Sequence, residues 1–201
     1  MTRFWLIRHG EPVAEARGRC YGLRDFALSD HGRRQMEQVA EYLRNEPITA
    51  VFSSPLSRSL EGARIISSRL SRPVKVREDL TEMNFGDFEG LPYDEIAARY
   101  PDTYRQWMET PSEVQFPNGE SLSDMRVRVL GAFAEIRREC KGETVAIVSH
   151  GGVNRILIAW ALQMPDSGLF RLGQDYAGIN LLETADEQIS LRLMNHVPAD
   201  V

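Results

Sequence analysis

The chain has 201 residues, of which 42% are hydrophobic and 26% charged, and its formal net charge is −5. This is the balance of a globular protein long enough to bury a sizeable core, with one domain over 1–201 as the simplest organisation. The acidity gives no overall attraction to nucleic acid or to an acidic membrane surface, so any anion-binding charge must be local. Cys20 and Cys140 lie far apart without CxxC spacing, which argues against a disulfide framework or a zinc site and fits a reducing cytoplasm. Residues 1–10 turn polar too soon for a signal peptide. The longest apolar run, 156–162, is too short to span a bilayer.

In chain order, Phe4-Trp5-Leu6-Ile7 reads as a buried strand stopped by Arg8-His9-Gly10. Ser29 looks like an N-cap. Met36, Val39, Ala40 and Leu43 follow at helical spacing, which predicts an amphipathic helix over 30–45. Ala50-Val51-Phe52 is a second short strand, ending in Ser53-Ser54-Pro55. A helix with Leu60, Ala63, Ile66 and Leu70 on one face comes next, then a brief strand at 74–76. Residues 79–120 are rich in Gly and Pro and read as a lid-like insertion with short helical pieces around 93–109. Ser121, with Asp124 three residues on, resembles a capping box opening a long helix. Thr144-Val145-Ala146-Ile147-Val148 is the clearest strand, and Ser149-His150-Gly151-Gly152 leads from it into an almost wholly apolar helix to Leu162. The stretches 178–183 and 188–194 alternate like two antiparallel strands.

Strands alternating with helices imply an α/β fold, a three-layer α/β/α sandwich around a mostly parallel sheet. In such sheets ligands bind outside the carboxyl ends of the strands. Three of those ends carry Arg8-His9-Gly10, Ser53-Ser54-Pro55 with Arg58, and Ser149-His150-Gly151. A neutral imidazole is a competent nucleophile near neutral pH, provided that its second nitrogen is held by an acceptor. Arg8 and Arg58 would clamp phosphoryl oxygens through forked, permanently charged groups, and His150 would add a donor. A carboxyl group from Glu82 or Glu11 would protonate the leaving alkoxide. The amides of Gly10, Gly151 and Gly152 would serve either turn geometry or anion binding.

Four segments carry a resemblance. They are Leu6-Ile7-Arg8-His9-Gly10-Glu11, Ser53-Ser54-Pro55-Leu56-Ser57-Arg58, the stretch from Glu82 through Phe85-Gly86 to Glu89-Gly90, and Val148-Ser149-His150-Gly151-Gly152. In this order they resemble the histidine phosphatase superfamily, the phosphoglycerate-mutase-like or RHG family. The resemblance implies the corresponding fold, His9 as phosphorylated nucleophile, and Arg8, Arg58 and His150 as the phosphate pocket. It implies Glu82 as proton donor and acceptor, with Glu11 as the rival, and no metal or organic cofactor. Cys20-Tyr21-Gly22 with Asp25 is similar to the α-ribazole phosphatase-like branch, which makes Tyr21 and Gly22 candidate substrate contacts and α-ribazole 5′-phosphate a candidate substrate. Glu15 stands where the family's mutases often carry Asn, removing one expected phosphate contact. Residues 102–119 offer only Arg105, beside Tyr104, Trp107 and Phe116, where mutases hold a second anion with basic residues. The expectation is a phosphatase acting on a small-molecule phosphomonoester, with a mutase and a non-catalytic phospholigand-binding domain as alternatives. The apolar helix 153–162 is free to be buried within one chain or to extend toward a partner in a homodimer.

Overall fold

A computed structural model describes residues 1–185 and 188–198; the last three residues of the expected 1–201 domain lie outside them. Six strands form one sheet in the order β3-β2-β4-β1-β5-β6. They are β1 (Thr2–Arg8), β2 (Ile48–Ser53), β3 (Val74–Val76), β4 (Thr144–Ser149), β5 (Ile179–Ala185) and β6 (Gln188–His196). The first four are mutually parallel, and β5 and β6 run antiparallel. The mostly parallel α/β fold expected from the sequence is therefore present.

Side-chain alternation explains the layers. Phe4, Leu6, Val145 and Ile147 point into one core, and Trp5, Ile7, Ala146 and Val148 into the other. The second core is closed by α1 (Asp30–Tyr42) and α2 (Ser57–Leu70). The first is closed by α5 (Leu122–Glu139), α6 (Gly151–Ala161) and residues 80–116, which include α3 (Tyr93–Arg99) and α4 (Pro101–Glu109). Because β1 is paired on both edges, it extends beyond its apolar run to Thr2 and Arg8.

The helix starts follow local chemistry. The Ser29 side chain accepts from the Gly32 amide, and Ser121 and Asp124 form a reciprocal capping box. Helix α1 ends at Tyr42, three residues short of expectation, where tight turns at Leu43 and Arg44 lead to Pro47. The segment 80–116 packs through aromatic edges: Trp107 lies 5.3 Å from Phe116, 5.5 Å from Phe85 and 5.9 Å from both Phe88 and Tyr93. No helix among the described residues is long and apolar enough to cross a membrane.

Candidate active site

The carboxyl ends of β1, β2 and β4 open into a cleft of about 500 Å³. Its lining includes Arg8, His9, Arg58 and Glu82 from the sequence-predicted set, with Glu11 and Tyr21. His9 follows β1 directly. Its amide donates to the Ser149 carbonyl, which locks the β1 and β4 ends together. The ring Nδ1 lies 2.8 Å from the Gly10 carbonyl oxygen. A carbonyl only accepts, so Nδ1 carries the proton and Nε2 keeps its lone pair. Burial, then Arg58 and Arg8, holds the imidazole well below the ordinary histidine pKa, against the opposing pull of the Gly10 bond. His9 is therefore neutral at pH 7.

His150 is fully buried, its ring 5.2 Å from that of His9. Its Nε2 lies 2.8 Å from Ser54 Oγ and 3.3 Å from Ser59 Oγ, while Nδ1 is buried without a partner among the described residues. Burial, then Arg58, also keeps it neutral. Arg58 is not the solvated arginine usual at a helix start: it is 0% exposed. It donates to the carbonyls of Gly22, at 2.6 Å, and Arg24, at 3.1 Å. Asp25, outside the cleft lining, approaches it at 3.7 Å. Arg8 donates to the Gln174 carbonyl at 2.5 Å and stacks on Tyr176, 4.1 Å from its ring centre. The Nε atoms of both arginines are buried without a hydrogen-bond partner among the described residues.

Glu82 accepts from its neighbour's amide, that of Met83, and from the Gly152 amide, both at 3.0 Å. The second bond fixes the carboxylate at the start of α6, where the helix dipole favours negative charge. A Cβ on Gly152 would lie 2.2 Å from Glu82 Oε1, so only glycine admits this approach. The rival Glu11 lines the cleft too, but is paired with Arg17 at 2.6 Å.

The candidate substrate contacts are placed unequally. Tyr21 lines the cleft, its hydroxyl 2.8 Å from that of Tyr176; burial, then this bond, raises its pKa. Gly22 stands behind the wall. Its amide donates to Glu89, its carbonyl accepts from Arg58, and its position is one where a Cβ would strike the Met83 carbonyl. Gly151 opens α6 with its Cβ position between Arg155 and Arg8. Cys20 also lines the cleft, but burial pushes its thiol pKa up, so it is a neutral wall residue. Glu15 is exposed and does not line the cleft. Arg105 is held by Asp102 at 3.0 Å and lies outside it.

Several contributing residues escaped sequence reasoning. Glu89 accepts the amides of Gly22, Leu23, Arg24 and Phe85, tying the early loop to the Glu82 segment. Arg128 binds the carbonyls of Asp79, Thr81 and Glu82 together with the Glu120 carboxylate. Gln174 and Tyr176, from the loop before β5, orient Arg8. Arg155 lines the cleft beyond Glu82. It left a trace in the sequence as the single charge on a largely apolar helix, and Glu89 closes one of the four segments that carry the resemblance.

Together these features define an α/β protein with an arginine-rich cleft at the carboxyl ends of its parallel strands. The family model "Histidine phosphatase superfamily (branch 1)" matches residues 4–197, and the chain belongs to that superfamily. It is 30% identical to "Phosphoserine phosphatase 1" of Hydrogenobacter thermophilus over 97% of this chain and 92% of that protein. It is 37% identical to "Bifunctional protein Rv2228c" of Mycobacterium tuberculosis over 96% of this chain, spanning 54% of that longer protein. Among solved structures, the α-ribazole phosphatase from Shigella flexneri aligns with a TM-score of 0.90 at 28% identity, over 99% of this chain and 98% of that one. The chain is a phosphatase by this kinship.

Proposed function

We propose that the protein hydrolyses a small-molecule phosphate monoester, without a metal, by passing the phosphoryl group through Nε2 of His9. The observation that carries this reading is a neutral imidazole with Nδ1 tied to a carbonyl, amid three buried donors that lack an acceptor among the described residues: Arg8 Nε, Arg58 Nε and His150 Nδ1. Buried polar atoms are rarely left unpaired, and a phosphoryl group supplies acceptors for all three. If Ser54 donates its hydroxyl proton to His150 Nε2, the ring proton sits on Nδ1, available to that oxygen.

In the first step the Nε2 lone pair forms the N–P bond as the ester P–O bond breaks, and Glu82 gives its proton to the leaving oxygen. In the second, Glu82 takes a proton from water, whose oxygen attacks phosphorus. The N–P bond breaks and His9 returns to its starting state. The arginines stabilise charge on the moving group without rearranging. Water as acceptor, rather than a second substrate hydroxyl, is supported by the phosphatase names among the relatives that span most of the chain. The substrate candidates are α-ribazole 5′-phosphate, from the early-loop resemblance, and phosphoserine, from the relative's name.

The test is turnover of p-nitrophenyl phosphate in EDTA by the native protein and by His9→Ala. The native protein is expected to work and to take up an acid-labile, base-stable phosphoryl label, while the variant does neither. Turnover that survives His9→Ala, or that vanishes with EDTA, overturns the mechanism. A panel holding α-ribazole phosphate, phosphoserine and 3-phosphoglycerate with its bisphosphate primer separates substrates and detects mutase activity.

A further inference from the structure

Arg155 is the cleft cation that the phosphate chemistry does not use. It lies on the first turns of α6, partly buried, and its Nε donates to the Leu172 carbonyl at 2.9 Å. Among the described residues, no hydrogen-bond acceptor holds its two terminal nitrogens. Burial lowers its pKa, yet an arginine remains charged at neutral pH. It borders two spaces at once: the main cleft, and a recess of about 120 Å³ walled by Phe85, Trp107, Phe116, Met125 and Leu169. Glu82 and Phe85 also border both. Arg155 therefore stands where the alcohol half of a substrate leaves the phosphate pocket, next to the proposed proton donor.

Charge pairing points the same way. Glu11 is paired with Arg17, Asp25 lies 3.7 Å from Arg58, and Arg19 is exposed and donates to the Gly90 carbonyl. Among the described residues Arg155 has no such ion pair, and the carboxylates of Glu82 and Asp175 favour its charge only from a distance. A desolvated cation without a close anionic partner is costly.

We infer that Arg155 is a specificity-determining residue that binds a carboxylate on the leaving alcohol, so that the cleft selects phosphate esters of small hydroxy acids. This rests on the hydrolytic reading above. It relocates the second anion site from the segment 102–119, where sequence reasoning sought it, to the first turns of α6.

The test compares two esters that differ mainly in the carboxylate, 3-phosphoglycerate and glycerol 3-phosphate, by kcat/KM and by competitive inhibition of p-nitrophenyl phosphate turnover. The native protein is expected to favour the carboxylate ester. Arg155→Met is expected to reduce that preference about tenfold or more, as for a lost hydrogen bond to a charged group, with Arg155→Lys intermediate. Circular dichroism of both variants controls for folding. The inference is overturned if the native protein shows no preference by either measure, if the preference survives in Arg155→Met, or if both esters weaken in parallel, which marks a phosphate contact or a structural prop. Failure of the hydrolytic reading registers separately, as turnover surviving His9→Ala.

Discussion

At the scale of single residues, the environment converts ordinary side chains into reagents. An exposed histidine is half-protonated near pH 6.5; His9 is kept neutral because burial and two arginines oppose its charge, and the Gly10 carbonyl decides which nitrogen is free. In the proposed mechanism Glu82 delivers a proton, so its importance scales with how badly the leaving group needs one. Glu82→Gln is expected to lower kcat/KM, which reports the phosphorylation step, by ~10²–10⁴-fold for alkyl phosphates, and much less for p-nitrophenyl phosphate, whose phenolate leaves unaided. Equal losses for both substrates would remove the acid role.

The same two histidines make stability depend on pH. In the fold both pKa values lie well below 6.5, whereas the unfolded chain protonates near 6.5. Below that pH the unfolded state binds more protons, so stability is held above about 6.5 and lost as pH falls toward the folded values. The slope is up to about 1.4 kcal/mol per pH unit for each histidine. Melting midpoints between pH 8 and 5.5, in phosphate-free buffer, should fall more steeply for the native protein than for His9→Ala. Parallel curves would show that His9 is not protonated on unfolding in this range.

At the scale of elements, the start of α6 is the part with least tolerance. His150 precedes its first turn, the Gly152 amide holds Glu82, and Arg155 follows a turn later. A Cβ at Gly152 would occupy the space of the Glu82 carboxylate. Gly152→Ala is therefore expected to fold, because alanine is the better helix former, but to displace Glu82. Its kinetic signature should copy that of Glu82→Gln, with alkyl esters losing more than p-nitrophenyl phosphate. A variant with unchanged kcat/KM on both would show that the carboxylate finds its place without that amide bond.

At the scale of the molecule, the cleft depends on a loop from the antiparallel part of the sheet. Asn180 in β5 is fully buried, donates to the Leu6 carbonyl and exchanges hydrogen bonds with the Gln174 side chain. Gln174 and Tyr176 in turn hold Arg8. Asn180→Ala leaves several buried groups unpaired and is expected to cost roughly 1–3 kcal/mol. It should also weaken competitive inhibition by inorganic phosphate. Urea unfolding and inhibition constants measure the two effects; a stability loss with unaltered phosphate binding would detach this network from the site.

The sequence by itself determined the strand and helix order, the caps at Ser29 and Ser121, and the convergence of Arg8, His9, Arg58 and His150 on one end of the sheet. These are local or periodic signals: apolar runs of strand length, helical spacing, and polar residues placed where strands end. It also held the chain's kinship, in four ordered segments. Only the tertiary structure decided which partner each group meets. Arg58 is buried against the Gly22 and Arg24 carbonyls, Gly22 lies behind the cleft wall, and Glu89 gathers amides from two loops. Tyr176 and Gln174 reach Arg8 from a loop with no catalytic pattern in its sequence, and Arg155 lines the cleft from α6, where sequence reasoning assigns a role only to the first residues. Such contacts join residues up to 174 positions apart. Their energies depend on burial and on the geometry of approach, and neither is fixed until the sheet has brought the strand ends together. The tertiary structure thus turned a set of strand-end residues legible in the sequence into a cleft whose lining also includes Arg155.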